Sequence, residues 1–490
     1  MKYKITGLIV CIAVLLVSFC APHITEAKNT RIHQHIEAED KALCNHGGEV
    51  FCTHLPLVMI DTFGKEIPGK AVTNENGEIV YTTAEDGSAE ITAHIQIADN
   101  PTENNHTDSE PALTSDIRIH VRGNSSRTFD KSGYAVRLIT AEGENNPQAV
   151  MGMDAHHEWA LHGPFIDKTL IRNYMWYNIA GEIMDYAPNV RFCELMLNGE
   201  YQGVYVMTEM ITAGEDGARL HLSVDKKDNT FSGYLLRLDR GSDTAIKNIS
   251  TFSSYSRRSR QIINIEYPGV SNLTPALAES IRQDFSKFEK ALYSYDFDNE
   301  DYGYKKYIDA ESFADYFIIN EFACNYDAGL FSTYIYKDID GKYRMCIWDF
   351  NSACDNYQES AVLPDHFEMQ NRLWYFMLMM DEDFTELIIK RYRELRKTYL
   401  SEEYLYGYID GCNQYLGEAV GRNFSKWGYT FEPMYDPLTP AERNHHSYGE
   451  AVEQLKAFIK ARGDWMDENI ESLRQYSENS KIKKFDETAN

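Results

Sequence analysis

NEFACNYDAGLFSTYIYKDIDGKYRMCIWDFN, residues 320–351, is the stretch on which the reading of the fold turns. STYIYK and YRMCIW are both strand-like, and Asp340-Gly341 between them favours a tight reversal. Centring the turn on those two residues sets Asp349 across from Ser332. Asp327 stands five residues before Ser332, in a loop that follows the helical pattern AESFADYFIINEFAC and that Gly329 leaves exposed. Two carboxylates and a hydroxyl thus converge at one end of a hairpin. Such a group binds Mg2+ through hard oxygen ligands or serves as a general base. The same spacing suits a loop cap at Asp327 and a polar strand end at Asp349, and the residues alone leave both readings open.

Upstream, residues 55 to about 140 carry short alternating runs such as EIVYTT, AEITAHIQIA, DIRIHVRG and YAVRLIT, separated by Gly, Asn and Asp, the mark of antiparallel strands. DKTLIRNYMWYNIAGEIM, 167–184, has helical spacing with Asp167 placed as its N-cap. FCELMLNGEYQGVYVMTE, 192–209, reads as a hairpin turning at Asn198-Gly199. After GYLLRLDR, 233–240, the pattern is mainly helical, broken by one hairpin, and residues 476–490 form a polar tail. Strands first and helices second predict an α+β architecture.

The first 27 residues differ in kind. Lys2 and Lys4 precede the apolar run ITGLIVCIAVLLVSF, and Thr25-Glu26-Ala27 offers small residues where a signal peptidase cuts, which predicts export. An uncleaved anchor and a lipoprotein lipidated at Cys20 are the rival readings, and Phe19 is a poor residue before a lipidated cysteine. Residues 28–54 read as a polar leader. The formal net charge of −27 argues against nucleic acid and anionic membrane as partners and favours a basic polypeptide. The cysteines of the remaining chain are scattered, with no CxxC, so neither a disulfide-stapled domain nor a zinc ribbon is expected; Cys44 and Cys52 are within reach of pairing outside the cell. HHEWALH, 156–162, fails the HExxH zinc pattern because Leu161 stands where the second histidine belongs.

The order loop-Asp, polar side chain, hairpin, Asp-Phe is similar to the base and metal segments of protein kinases. More specifically, the chain resembles the CotH (spore coat protein H) kinase family. The resemblance rests on IRIHVRGNSSRTFDKSGYAVRL (117–138), DKTLIRN (167–173), LNGEYQGVYVMTE (197–209), GYLLRLD (233–239), NEFACNYD (320–327), WDFN (348–351) and FIKARGDWMDENI (458–470), in family order over about residues 55–470.

The resemblance implies an atypical protein-kinase-like, two-lobed α+β fold over residues 55–475, with a sheet-rich N-lobe over about 55–240 and a mainly helical C-lobe over about 241–475. It implies transfer of a phosphoryl group from ATP, with Mg2+ or Mn2+, to Ser or Thr of a secreted or surface protein. Asp327 would be the base, and Asp349 the metal ligand with Asn351 or Ser332. Arg122, Asn124 and Ser125 would lie near the nucleotide phosphates, with Lys131 or Arg137 as the cation and Glu209 near the nucleotide pocket. Three departures from the family pattern stand out: Asn351 replaces the second acid of WDxD, Arg137 stands where Lys is favoured, and Ser332 stands where classical kinases place Asn. Together they keep alive a weakened pseudokinase that acts as a surface binding or adhesion scaffold.

Overall fold

The computed structural model describes residues 31–36, 41, 50–213, 219–223, 232–250, 252–255 and 261–477. The expected signal peptide, Cys44 and residues 478–490 of the polar tail lie outside the described residues. No helix among those described is long and apolar enough to cross a membrane.

The fold is mixed α+β. Seven strands close into a barrel: β1 (Leu57–Asp61), β2 (Ile91–Ala98), β3 (Leu113–Arg122), β4 (Gly133–Ile139), β5 (Glu158–His162), β6 (Val190–Leu197) and β7 (Glu200–Glu209). Their order around the barrel is β5-β7-β6-β1-β2-β3-β4, with β4 pairing back onto β5. Alternation builds the interior: in β2, Ile91, Ala93, Ile95 and Ile97 are buried while the residues between them are half-buried. Together with Ile117, Ile119, Val136, Trp159, Leu195 and Met207 they form one buried cluster inside the barrel. Antiparallel strands were expected here, but closure depends on one parallel pair, β1 with β6, between segments far apart in sequence. Asn198-Gly199 joins β6 to β7 as expected, both residues having positive φ (+51° and +79°), as a two-residue primed turn requires.

A second, five-stranded antiparallel sheet contains β8 (Tyr234–Asp239), β9 (Asn248–Ile249), β10 (Ile262–Tyr267), β11 (Thr333–Lys337) and β12 (Arg344–Cys346), in the order β9-β10-β8-β11-β12. One hairpin was expected in this half of the chain. The structure adds β9 and β10, whose run IINIEY is too short and too evenly apolar to show a period. The β11–β12 hairpin forms, with a register one residue from that expected. Tyr334 pairs with Cys346 and Ile335 with Met345, so continuing the ladder sets Ser332 level with Trp348 rather than Asp349. The reversal runs over Asp338–Gly341, closed by the Gly341 N–H on the Asp338 carbonyl, and is longer than a two-residue turn.

Among the described residues seven longer helices accompany the sheets: α1 (Arg172–Ile183), α2 (Pro275–Leu292), α3 (Ala310–Phe322), α4 (Glu382–Leu395), α5 (Glu402–Leu416), α6 (Glu418–Trp427) and α7 (Tyr448–Asn469). Their starts follow side-chain capping: Thr274, Asp309, Asp381, Ser401 and Ser447 each accept a backbone N–H of the first turn. The exceptions are α6, which starts at Gly417 without a side-chain cap, and α1. Helix α1 begins at Arg172 instead of following an N-cap at 167, yet Asp167 still caps it from a distance, accepting the Arg172 N–H at 2.9 Å. Residues 33–35 of the leader pack against this framework. His33 is buried between Glu182 (2.7 Å) and Tyr408 (3.1 Å), and Gln34 exchanges two hydrogen bonds with the backbone of Phe192.

Candidate functional site

Asp327 sits in the loop after α3, and Arg372 staples that loop. Its guanidinium donates to the carbonyls of Tyr326 (2.7 Å) and Ala328 (2.8 Å) while pairing with Glu368 (2.6 Å). Gly329, at φ +76°, turns the chain where a Cβ would lie 3.1 Å from Arg372. The root of the loop is held by the buried pair of Arg462 and Glu321, with Arg462 also donating to the carbonyls of Pro364 and His366. This network joins NEFACNYD to FIKARGDW.

Asp349 follows β12 in a left-handed conformation, φ +59°, which Asp tolerates better than most residues. The segment after it is fastened from α1. The Asp349 N–H donates to the Tyr177 hydroxyl (3.0 Å) and the Phe350 N–H to the Asn173 side-chain oxygen (2.7 Å), while Arg172 donates to the Ala353 carbonyl (3.0 Å). From the other side Asn325 donates to the Asp349 carbonyl at 3.0 Å. DKTLIRNYMWY is therefore the brace of the Asp349 loop.

The structure brings Asp327, Asp349 and Asn351 together. Ser352 bridges the two loops, its hydroxyl donating to Asp327 at 3.4 Å. Burial and then the negative charge of Asp349 push the Asp327 carboxyl up to about 6, against the pull of Arg240. Asp349 is raised too, chiefly by burial, with Asn351 and Arg122 opposing. One Asp349 oxygen takes the Asn351 side-chain N–H at 2.6 Å, and among the described residues no donor meets its other oxygen. Two carboxylates, one raised by the charge of the other and the other with an unserved oxygen, are a donor set that fits a hard divalent cation. Asn351 turns its amide nitrogen to Asp349, because its oxygen is taken by the Asn173 amide at 3.2 Å. Ser332, at φ +48°, has no hydrogen bond to Asp327, Asp349 or Asn351 among the described residues.

The expected phosphate-side residues divide. Arg122, at the end of β3, lies with its guanidinium 5.2 Å from the centre of the Trp348 ring and in the field of Asp349. Asn124 precedes a short turn, Ser125–Thr128, and with its amide oxygen facing Arg240 accepts from that guanidinium at 2.7–3.3 Å. Lys131 is buried, donating to Asn423 at 2.7 Å, and burial holds its ammonium well below the usual range. Arg137 stands between the buried Val136 and Leu138 and pairs with Glu90 at 2.6 Å. Glu209 is buried and accepts the N–H of Asn189 at 2.8 Å.

Several residues near the pair were not singled out from sequence. Asp239 and Arg240 emerge from β8 beside the start of β11, where Leu238 pairs with Thr333. His162 neighbours Asn351, and burial with Arg122 holds it down to about 4. GYLLRLD and DKTLIRN contain or adjoin most of these, but no periodicity marks which of their polar residues face inward. The histidine run is separate: ligand atoms of His156, His157 and Glu158 lie within 4.8 Å of one another, but His156 already accepts the Glu158 N–H and faces Arg219, whose charge opposes a cation.

A family model described as CotH kinase protein matches residues 119–466, most of the chain, and the protein belongs to that family. No curated protein matches it. The match runs from within β3 to α7 and takes in both acidic loops and the α1 brace. Membership makes this a kinase-like protein.

Proposed function

We propose that the chain is an ATP- and Mg2+- or Mn2+-dependent protein kinase with the two-lobed arrangement of its class, the barrel forming one lobe and the helices the other. The observation that carries this reading is that burial and the charge of Asp349 raise Asp327, on two loops braced by Arg372 and by Asn173 with Tyr177. Asp327, in its ionised form, accepts the proton of a Ser or Thr hydroxyl. Asp349 would hold the metal, with Asn351 orienting its carboxylate and Ser332 as a further oxygen donor. A bound divalent ion would supply charge neutralisation for the phosphate oxygens. Arg122, Asn124 and Ser125 face the phosphates, whereas Lys131, Arg137 and Glu209 hold the scaffold.

The net charge of −27 favours a basic, Ser/Thr-rich protein substrate, and the N-terminal pattern favours a secreted or surface-held enzyme. The diversion of Lys131 to Asn423 and the inward lock on Asn351 favour a second reading, a weakened pseudokinase serving as a surface scaffold. A thermal-shift screen against ATP, other nucleotides and divalent metals separates the two. The kinase reading expects stabilisation by ATP with metal that Asp349→Ala abolishes; no shift with any nucleotide supports the scaffold.

A further inference from the structure

We propose that Arg240 is a phosphate-binding residue of this site, taking the place that the sequence left to Lys131 or Arg137; the inference rests on the nucleotide-dependent reading above. Both of those cations are committed, to Asn423 and to Glu90, and Arg372 is consumed by two carbonyls and Glu368. Arg240 is different. Its side chain is 56 % exposed, and it leaves the end of β8 between the turn that carries Asn124 and the loop that carries Asp327.

Its donors are poorly served. The Nε and both terminal nitrogens converge on the single amide oxygen of Asn124, at 2.9, 2.7 and 3.3 Å, and among the described residues the remaining polar contact is one carboxylate oxygen of Asp239 at 3.3 Å. A guanidinium is a planar fork of five N–H groups matched to two or three acceptor oxygens, and one amide oxygen with one long carboxylate contact leaves part of it unserved. The plane is nevertheless fixed, since the guanidinium lies 4.0 Å over the Phe331 ring. A preset, exposed and under-supplied guanidinium beside the Asn124 turn suits a phosphate group, which presents the oxygens that Asn124 lacks. Asp239 supports the side chain from behind, accepting the Arg240 backbone N–H at 2.9 Å, and pairs with Arg237.

The test is calorimetric titration of Mg-ATP into the wild-type protein, Arg240→Ala and Arg240→Lys, with a melting temperature for each. Arg240→Ala is expected to weaken ATP binding by about ten-fold or more, the loss of a charge-assisted contact, with its melting temperature kept. Arg240→Lys should recover part of the affinity, and raising the salt concentration should narrow the gap between wild type and Arg240→Ala. Arg240→Ala binding ATP within two-fold of wild type overturns the inference and leaves the nucleotide reading standing. A wild-type protein that binds no ATP overturns both.

Discussion

The amide of Asn173 fixes which way Asn351 faces. Its oxygen accepts the Phe350 N–H at 2.7 Å, so its nitrogen must point to the Asn351 oxygen, 3.2 Å away, and Asn351 is left to offer its own N–H to Asp349 at 2.6 Å. One backbone donor thus sets the polarity of a three-residue chain that ends on the candidate metal ligand.

Replacing Asn173 therefore acts on stability and on the site together. Asn173→Ala leaves the buried Phe350 N–H without its acceptor and is expected to cost about 1–3 kcal/mol, read from the urea midpoint. Asn173→Asp keeps the acceptor and loses the donor to Asn351, so it should recover part of the stability without restoring the orientation of Asn351.

Asn351→Asp tests the missing charge. A carboxylate there can still accept from Asn173 while presenting its second oxygen beside Asp349. Metal affinity is expected to rise by about ten-fold, because hard-cation sites are tuned by ligand charge. Without metal, two neighbouring carboxylates should lower stability by about 1 kcal/mol. Melting curves with and without Mg2+ read both effects, and the sign of the change must reverse between them.

The elevation of Asp327 has a definite pH signature. A base must be ionised, so kcat/KM is expected to fall as pH drops through about 6 and to be level above it. Linkage gives stability the opposite sense. The folded state holds this proton more tightly than the unfolded chain does, so its contribution to stability is full below the ordinary carboxylate range and is lost as pH rises through about 6. Asp327→Asn should remove the acid limb along with nearly all turnover, in a pH–rate profile taken with saturating metal.

His33 ties the leader to α1 and α5. His33→Ala removes a donor from Glu182 and a partner from Tyr408, and a loss of about 1–2 kcal/mol is expected in urea unfolding at neutral pH. Deleting residues 28–36 should cost at least as much.

Local signals in the sequence were faithful and long-range ones were absent. Asn198-Gly199 turned where its backbone preference requires, and the order of the acidic loops around the β11–β12 hairpin held. The hairpin register slipped by one because its reversal begins at Asp338, which dipeptide preference at Asp340-Gly341 does not show. Barrel closure was not legible, since the parallel pairing of β1 with β6 leaves no mark in either strand alone. Arg137 is a reading that alternation itself argues against: Val136 and Leu138 are buried, so the residue between them points outward. Asn173, Tyr177 and Arg240 were within or beside recognised motifs, but only the fold shows what each touches.

The central claim is phosphoryl transfer that needs Asp349, and transfer of labelled phosphate from ATP to a basic, Ser-rich peptide tests it most directly. Label on serine in the presence of Mg2+ or Mn2+, absent without metal and absent in Asp349→Ala, is the predicted result. A folded wild-type protein that labels neither the peptide nor itself with either metal, or an Asp349→Ala variant that labels as well as wild type, would contradict it.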